Sequence, residues 1–235
     1  MISLHNVSKE YNLDDATTIT PVRSVTLEIK RGEFILIIGR SGSGKTTLLN
    51  LAAGLVKPTS GKVLFEGKDI WQMSDKELSF LRARKMGFIF QFPSMLPSLR
   101  VIDNVAMPTI FAHNGKHDGY AHAEELLRMV GLTPRKDCLP RQISGGEQKR
   151  TVIARALVNR PEVILADEPT ADLDEQTEHE IMALLREIHQ SGVTVIMVTH
   201  SLELLPYATR ALKMEDGRIS ELSQRDTDYA RKSLR

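Results

Sequence analysis

Residues 39–46 read Gly39-Arg40-Ser41-Gly42-Ser43-Gly44-Lys45-Thr46, followed by Thr47, and this spacing of glycines, lysine and hydroxyl is that of a phosphate-binding loop. The apolar run Phe34-Ile35-Leu36-Ile37-Ile38 before it reads as a strand buried on both faces, and the residues after it read as a helix. Between strand and helix, successive backbone N–H groups and the positive end of the helix dipole converge on an anion. Lys45 would reach the terminal phosphates of a nucleoside triphosphate, and the Thr46 hydroxyl would ligate Mg²⁺. A second apolar run, Val163-Ile164-Leu165-Ala166, ends in Asp167-Glu168. There Asp167 suits the metal, through its water shell or through Thr46, and Glu168 suits the polarisation of an attacking water.

A third element, Ile143-Ser144-Gly145-Gly146-Glu147, has the layout of a capping box. Ser144 would accept from the Glu147 N–H and Glu147 would reach back to the Ser144 N–H, opening a helix that runs to about residue 159. Two glycines in its first turn cost roughly 1 kcal/mol each relative to alanine, which a cap alone does not require. They allow a ligand to approach a helix N-terminus closely, which makes this a second anion-binding element.

With these three elements in order, the chain resembles the ATP-binding cassette (ABC) ATPases over nearly its whole length. The Ser-Gly-Gly run is similar to the ABC signature, Tyr11 to the aromatic residue that stacks on adenine, and Gln91 to the glutamine that reaches the metal. Ala171-Asp172-Leu173-Asp174 is similar to the D-loop and His200 to the histidine that contacts the γ-phosphate. Taken singly, Tyr11 also suits a strand end, Gln91 a strand terminus and His200 a helix cap; their order beside the phosphate loop favours the site reading. Ile143 in place of leucine and Glu147 in place of glutamine depart slightly from the signature, and either acid or amide serves the capping box.

The resemblance implies an α/β fold: a P-loop NTPase (RecA-like) core with an antiparallel β layer and an inserted α-helical subdomain. It places core and β layer in residues 1–91 and 161–222, the helical subdomain with the signature in 92–160, and a polar tail in 223–235. It further implies ATP and Mg²⁺ as cofactors, with Thr46, Gln91 and Asp167 at the metal and Glu168, Gln91 and His200 in hydrolysis. Residues 39–47 would hold the nucleotide together with Tyr11, Glu147 and Asp172, and a second copy, arranged head to tail, would add Ser144, Gly145 and Gly146 at the γ-phosphate. The motor then drives a membrane permease without touching cargo.

Proline-punctuated, apolar Phe92-Pro93-Ser94-Met95-Leu96-Pro97-Ser98-Leu99 suits a loop that docks this permease. Within the family, Gly32-Glu33-Phe34, Leu48-Leu49-Asn50-Leu51, Lys57-Pro58-Thr59-Ser60-Gly61 and Asp103-Asn104-Val105 are similar to the subgroup of lipoprotein-release, macrolide-export and cell-division ATPases. That implies export or lipoprotein release, or else control of a cell-wall hydrolase without transport.

Bulk composition agrees with a peripheral motor on the inner face of the cell membrane. The 235 residues carry a formal net charge of +1, which gives no basic field for nucleic acid, and the single cysteine, Cys138, suits a reducing cytoplasm. No apolar run approaches the roughly 20 residues of a membrane span, so the permease is expected on another polypeptide. Strands are expected at 2–7, 25–30, 34–38, 62–65, 87–90, 163–166, 193–198 and 211–214, the early ones forming a small antiparallel layer. A helical stretch from 101 to 159, broken at Gly115, Gly119 and 131–134, separates them from a helix at 175–190 whose Ile181, Leu184, Leu185 and Ile188 form one apolar stripe. His113, His117 and His122 lie close in sequence, but glycines interrupt their spacing and no ligand set is completed, so they read as a solvated loop.

Overall fold

The structure is a computed structural model that describes residues 1–12, 14, 17–112 and 119–222. Ten strands alternate with seven α-helices in these residues: β1 (Ile2–Asn12), β2 (Thr18–Ile29), β3 (Phe34–Ile38), α1 (Lys45–Ala52), β4 (Ser60–Phe65), β5 (Lys68–Asp69), α2 (Asp75–Lys85), β6 (Met86–Ile89), α3 (Val101–Ala106), α4 (Thr109–Ala112), α5 (Tyr120–Met129), α6 (Gly145–Leu157), β7 (Val163–Asp167), α7 (Glu175–Gln190), β8 (Thr194–Thr199), β9 (Arg210–Glu215) and β10 (Arg218–Glu221). They divide into two compact units, Met1–Leu78 with Thr194–Arg235, and Ser79–Val193.

The first unit carries two sheets. The antiparallel layer runs β2-β1-β4-β5, with Ile2 opposite both Ile29 and Phe65. β1 and β2 extend well beyond the apolar cores visible in the sequence, because their outer ends pair with each other through bulges and need little burial. The other sheet places β3 between β8 and β9, parallel to both, with β10 returning antiparallel along β9. Every residue of β3 and β8 is buried, which is why both read as unbroken apolar runs.

The expected last strand near 211–214 is therefore a hairpin. Its turn, Asp216-Gly217, has φ of 48° and 76°, the left-handed pair that a tight two-residue hairpin demands.

In the second unit β6 and β7 pair in parallel, Met86 opposite Val163, and the helices pack around them. The 101–159 stretch holds α3 to α6 and no strand among its described residues. The stripe on α7 is buried as its spacing requires. α2 has no counterpart in the periodicity, since only Leu78 of its residues is buried. Its start is set by a capping box instead: the Ser74 N–H donates to Glu77 Oε2 at 2.8 Å and the Glu77 N–H returns to Ser74 Oγ at 3.3 Å. His122 faces Glu125, Nδ1 to Oε2 3.0 Å, whereas His113, His117 and the tail 223–235 lie outside the described residues.

Candidate active site

In the first unit, the buried end of β3 delivers the chain into the phosphate loop. A Cβ on Gly39 would lie 2.4 Å from the Met214 carbonyl oxygen, and one on Gly44, at φ 102°, would lie 1.9 Å from that of Pro21. Those two glycines let the loop pack against β9 and β2. Gly42 differs: its φ is 78° and nothing lies within 4 Å of where a Cβ would sit, so its outer face is open to a ligand.

Lys45 opens α1, is 5% exposed, and curls back so that its ammonium donates to the carbonyls of Gly39 (2.8 Å) and Arg40 (3.1 Å). The Ser43 hydroxyl is buried and has no hydrogen-bond partner. A buried orphan hydroxyl, an ammonium laid over the loop and the leading N–H groups of a helix make a donor set that fits a polyphosphate. Arg40, Ser41 and Thr46 are exposed and Thr47 is half-buried; Leu48, Leu49, Leu51 and Ala52 on the opposite face of α1 anchor it in the core.

Two other expected residues belong to this unit. Tyr11 stands near the end of β1, 36% exposed, with the Lys9 ammonium 4.9 Å from its ring centre. His200 is exposed and directly follows β8.

The second unit holds the acidic pair, Gln91, the D-loop and the signature. Asp167 is the buried last residue of β7, and Glu168 follows with a φ of 44°. Left-handed backbone at a glutamate that precedes Pro169 is unfavourable by about 1–3 kcal/mol, and a tight turn follows it. In that turn the Ala171 N–H donates to the Glu168 carbonyl at 3.1 Å. Asp172, exposed, is left-handed too, at φ 63°. Asp174, the other aspartate of the D-loop, caps α7 by accepting from the Thr177 N–H at 3.0 Å.

At α6 the capping box forms as expected: the Ser144 N–H donates to Glu147 Oε2 (2.8 Å) and the Glu147 N–H to Ser144 Oγ (3.2 Å). These bonds, the Ser144 backbone foremost and then Arg135, whose Nε lies 3.0 Å from the carboxylate, hold Glu147 below the usual carboxylate range. The two glycines part company. Gly145 has nothing within 4 Å of a Cβ position, whereas a Cβ on Gly146 would lie 2.8 Å from Thr177 Cγ2. Gly146 thus has a local packing reason that the sequence does not reveal.

Lys149 is a residue that sequence reasoning missed. It is 5% exposed, and its ammonium donates to the Gln91 carbonyl at 2.5 Å. Burial pushes it below the usual lysine range, an effect opposed by the nearby Asp172 carboxylate. Its position was a signal, since Lys149, Val152, Ile153 and Ala156 form one buried stripe on α6. Beyond Gln91, which is exposed, Phe92 (71% exposed) and Leu96 (43%) point outward while Met95 and Leu99 are half-buried.

The chain matches the family model described as ABC transporter over residues 22–171, from β2 through the phosphate loop and signature to the first residue of the D-loop. It belongs to the ABC transporter family. An ABC transporter ATP-binding protein of Thermotoga maritima is 43% identical over 229 residues, covering 97% of each chain. The lipoprotein-releasing system ATP-binding protein LolD of Myxococcus xanthus is 41% identical over 94% of this chain and 99% of its own length. The macrolide export ATP-binding/permease protein MacB of Rhodopirellula baltica is 43% identical over 94% of this chain but only 33% of its own length. Among solved structures, the dimeric post-hydrolysis state of the cassette MJ0796 bound to ADP and Pi superposes with a TM-score of 0.87 at 39% identity, covering 95% of this chain and 99% of that one. The chain is accordingly an ABC ATPase, built on a P-loop NTPase core and acting as the ATP-hydrolysing component of a transporter.

Proposed function

We propose that this ATPase binds ATP at two sites formed head to tail with a second copy and uses their closure and opening to drive a membrane permease. The observation that carries this reading is the open N-terminus of α6, where Ser144 and Gly145 are exposed and nothing lies within 4 Å of where a Cβ on Gly145 would sit. Such a helix end suits the γ-phosphate of a nucleotide held by another copy. The dimeric MJ0796 cassettes support the arrangement.

In each site the phosphates rest on residues 39–47 with Lys45 countering their charge, and Tyr11 stacks on the base. Thr46, Asp167 and Gln91 supply the hard oxygen donors that Mg²⁺ prefers, and the metal would neutralise charge on the transferring phosphoryl group. Glu168 accepts a proton from the attacking water, His200 contacts the γ-phosphate, and Asp172 lies on the shared face. Glu147 keeps Ser144 oriented through the capping box. Loss of the γ-phosphate removes what both copies hold, so the interface releases.

The segment 92–99 receives the permease, which places the ATPase at the inner membrane surface. Relatives named for lipoprotein release and macrolide export support an exporter or lipoprotein-release role. Glu168→Gln is expected to keep ATP binding and lower turnover by roughly 100-fold or more, whereas Lys45→Ala loses tight binding itself. Steady-state hydrolysis with nucleotide-binding titrations checks both; wild-type turnover in Glu168→Gln would remove the base from the scheme.

A further inference from the structure

The backbone of the loop after β6 is fastened by side chains that no site motif explains. At its start, Lys149 donates to the Gln91 carbonyl at 2.5 Å. Two turns along α6, Arg155 reaches the same loop with both terminal nitrogens, Nη2 to the Pro93 carbonyl and Nη1 to that of Ser94, each at 2.9 Å. Ser94 itself is left-handed, φ 45°, a conformation that persists only where its surroundings impose it. At the far end, fully buried Asn104 accepts from the Leu96 N–H at 2.8 Å and donates to the carbonyls of Leu96, Leu99 and Arg100.

Packing alone does not ask for cations here. Lys149 is 5% exposed and Arg155 is half-buried, so both cations sit partly out of water, where their charges need polar partners. What a cation supplies is a directional, charge-assisted bond to a main-chain carbonyl, strengthened by the low local dielectric. The outcome is a loop whose backbone is gripped from beneath while Phe92 and Leu96 face outward.

We propose that Lys149 and Arg155 are positioning residues that lock residues 91–94 to α6, so that the signature end of this helix and the permease-facing loop shift as one piece. A helix of this length, about 20 Å, is stiff enough to carry a displacement of its first turn to its last. The inference rests on the reading of 92–99 as the docking segment.

The test uses the full chain carrying Lys149→Met, Arg155→Met or both. In the isolated subunit, amide hydrogen exchange over 91–99 should speed up tenfold or more in the double variant. In the Glu168→Gln background, ATP should slow exchange of 91–99 when the lock is intact and leave it unchanged in the double variant. Arg155→Met should keep basal hydrolysis within about twofold, yet lose the permease-dependent change in rate. Arg155→Lys, a point charge without the guanidinium fork, should recover part of that response and also serves if the methionine variants fold poorly. Unchanged exchange over 91–99 in the double variant, or a full permease response in Arg155→Met, would overturn the lock. If aspartate substitutions on the loop leave the subunit bound to its permease, the docking reading fails instead, and the exchange of the isolated subunit still decides the lock.

Discussion

Glu168 and Asp172 both hold backbone conformations that side chains seldom adopt, four residues apart and on the turn between β7 and α7. Such conformations gather where function constrains the chain, and here they mark the acidic end and D-loop already visible as motifs. Glu147 offers a test at the same scale. Its carboxyl is held low by the Ser144 backbone and by Arg135, so its contribution to stability is fully present above the unfolded value of about 4.3 and disappears as pH falls through the folded value. Glu147→Gln keeps the capping box without that titration, so its melting temperature should fall less steeply than the wild type's between about pH 5 and 3; parallel acid limbs would contradict the assignment. The candidate phosphate-binding and acidic residues stood out in the sequence because phosphate chemistry demands fixed types at short spacing. Lys149 did not, because its partner, the Gln91 carbonyl, is brought to it only by folding.

At the level of elements, α6 serves two purposes at its first turn, and the glycines separate them. Gly145→Ala meets open space and should leave the fold intact. Gly146→Ala forces a methyl onto Thr177 Cγ2 of α7 and should lower stability by about 1–3 kcal/mol, as overpacking does. Adding Thr177→Ser removes that methyl and should restore most of the loss in urea unfolding; a Gly146→Ala chain as stable as wild type would show that the α6–α7 contact does not need glycine. Elements with strong apolar periodicity, such as β3, β8 and α7, could be read directly. α2 and β10 escaped because each buries too little to leave a pattern, although Ser74-Asp75-Lys76-Glu77 and Asp216-Gly217 are local signals for a helix start and a hairpin turn.

For the whole molecule, the proposed scheme makes the loop at 92–99 and the open end of α6 the surfaces through which hydrolysis meets a partner. With Leu96 exposed, Leu96→Asp together with Leu99→Asp should leave basal hydrolysis near wild type while costing several kcal/mol in a permease interface, enough to strip the subunit from membranes. A large fall in melting temperature instead would assign these leucines to the core. No helix among the described residues is long and apolar enough to cross a membrane, and the matched family region reaches from β2 only to the start of the D-loop. The assembly was the part least legible in the sequence, since a helix cap and a trans-acting phosphate site use the same Ser-Gly-Gly residues. One measurement separates them: the mass in solution of Glu168→Gln, by light scattering, with and without ATP. The two-copy scheme predicts 26.3 kDa without nucleotide or with ADP, about twice that with ATP, and a return to the single-chain mass when Ser144→Asp is added, because that substitution keeps the cap but sets a carboxylate against the γ-phosphate. A single-chain mass with ATP bound, or a dimer indifferent to Ser144→Asp, would contradict it.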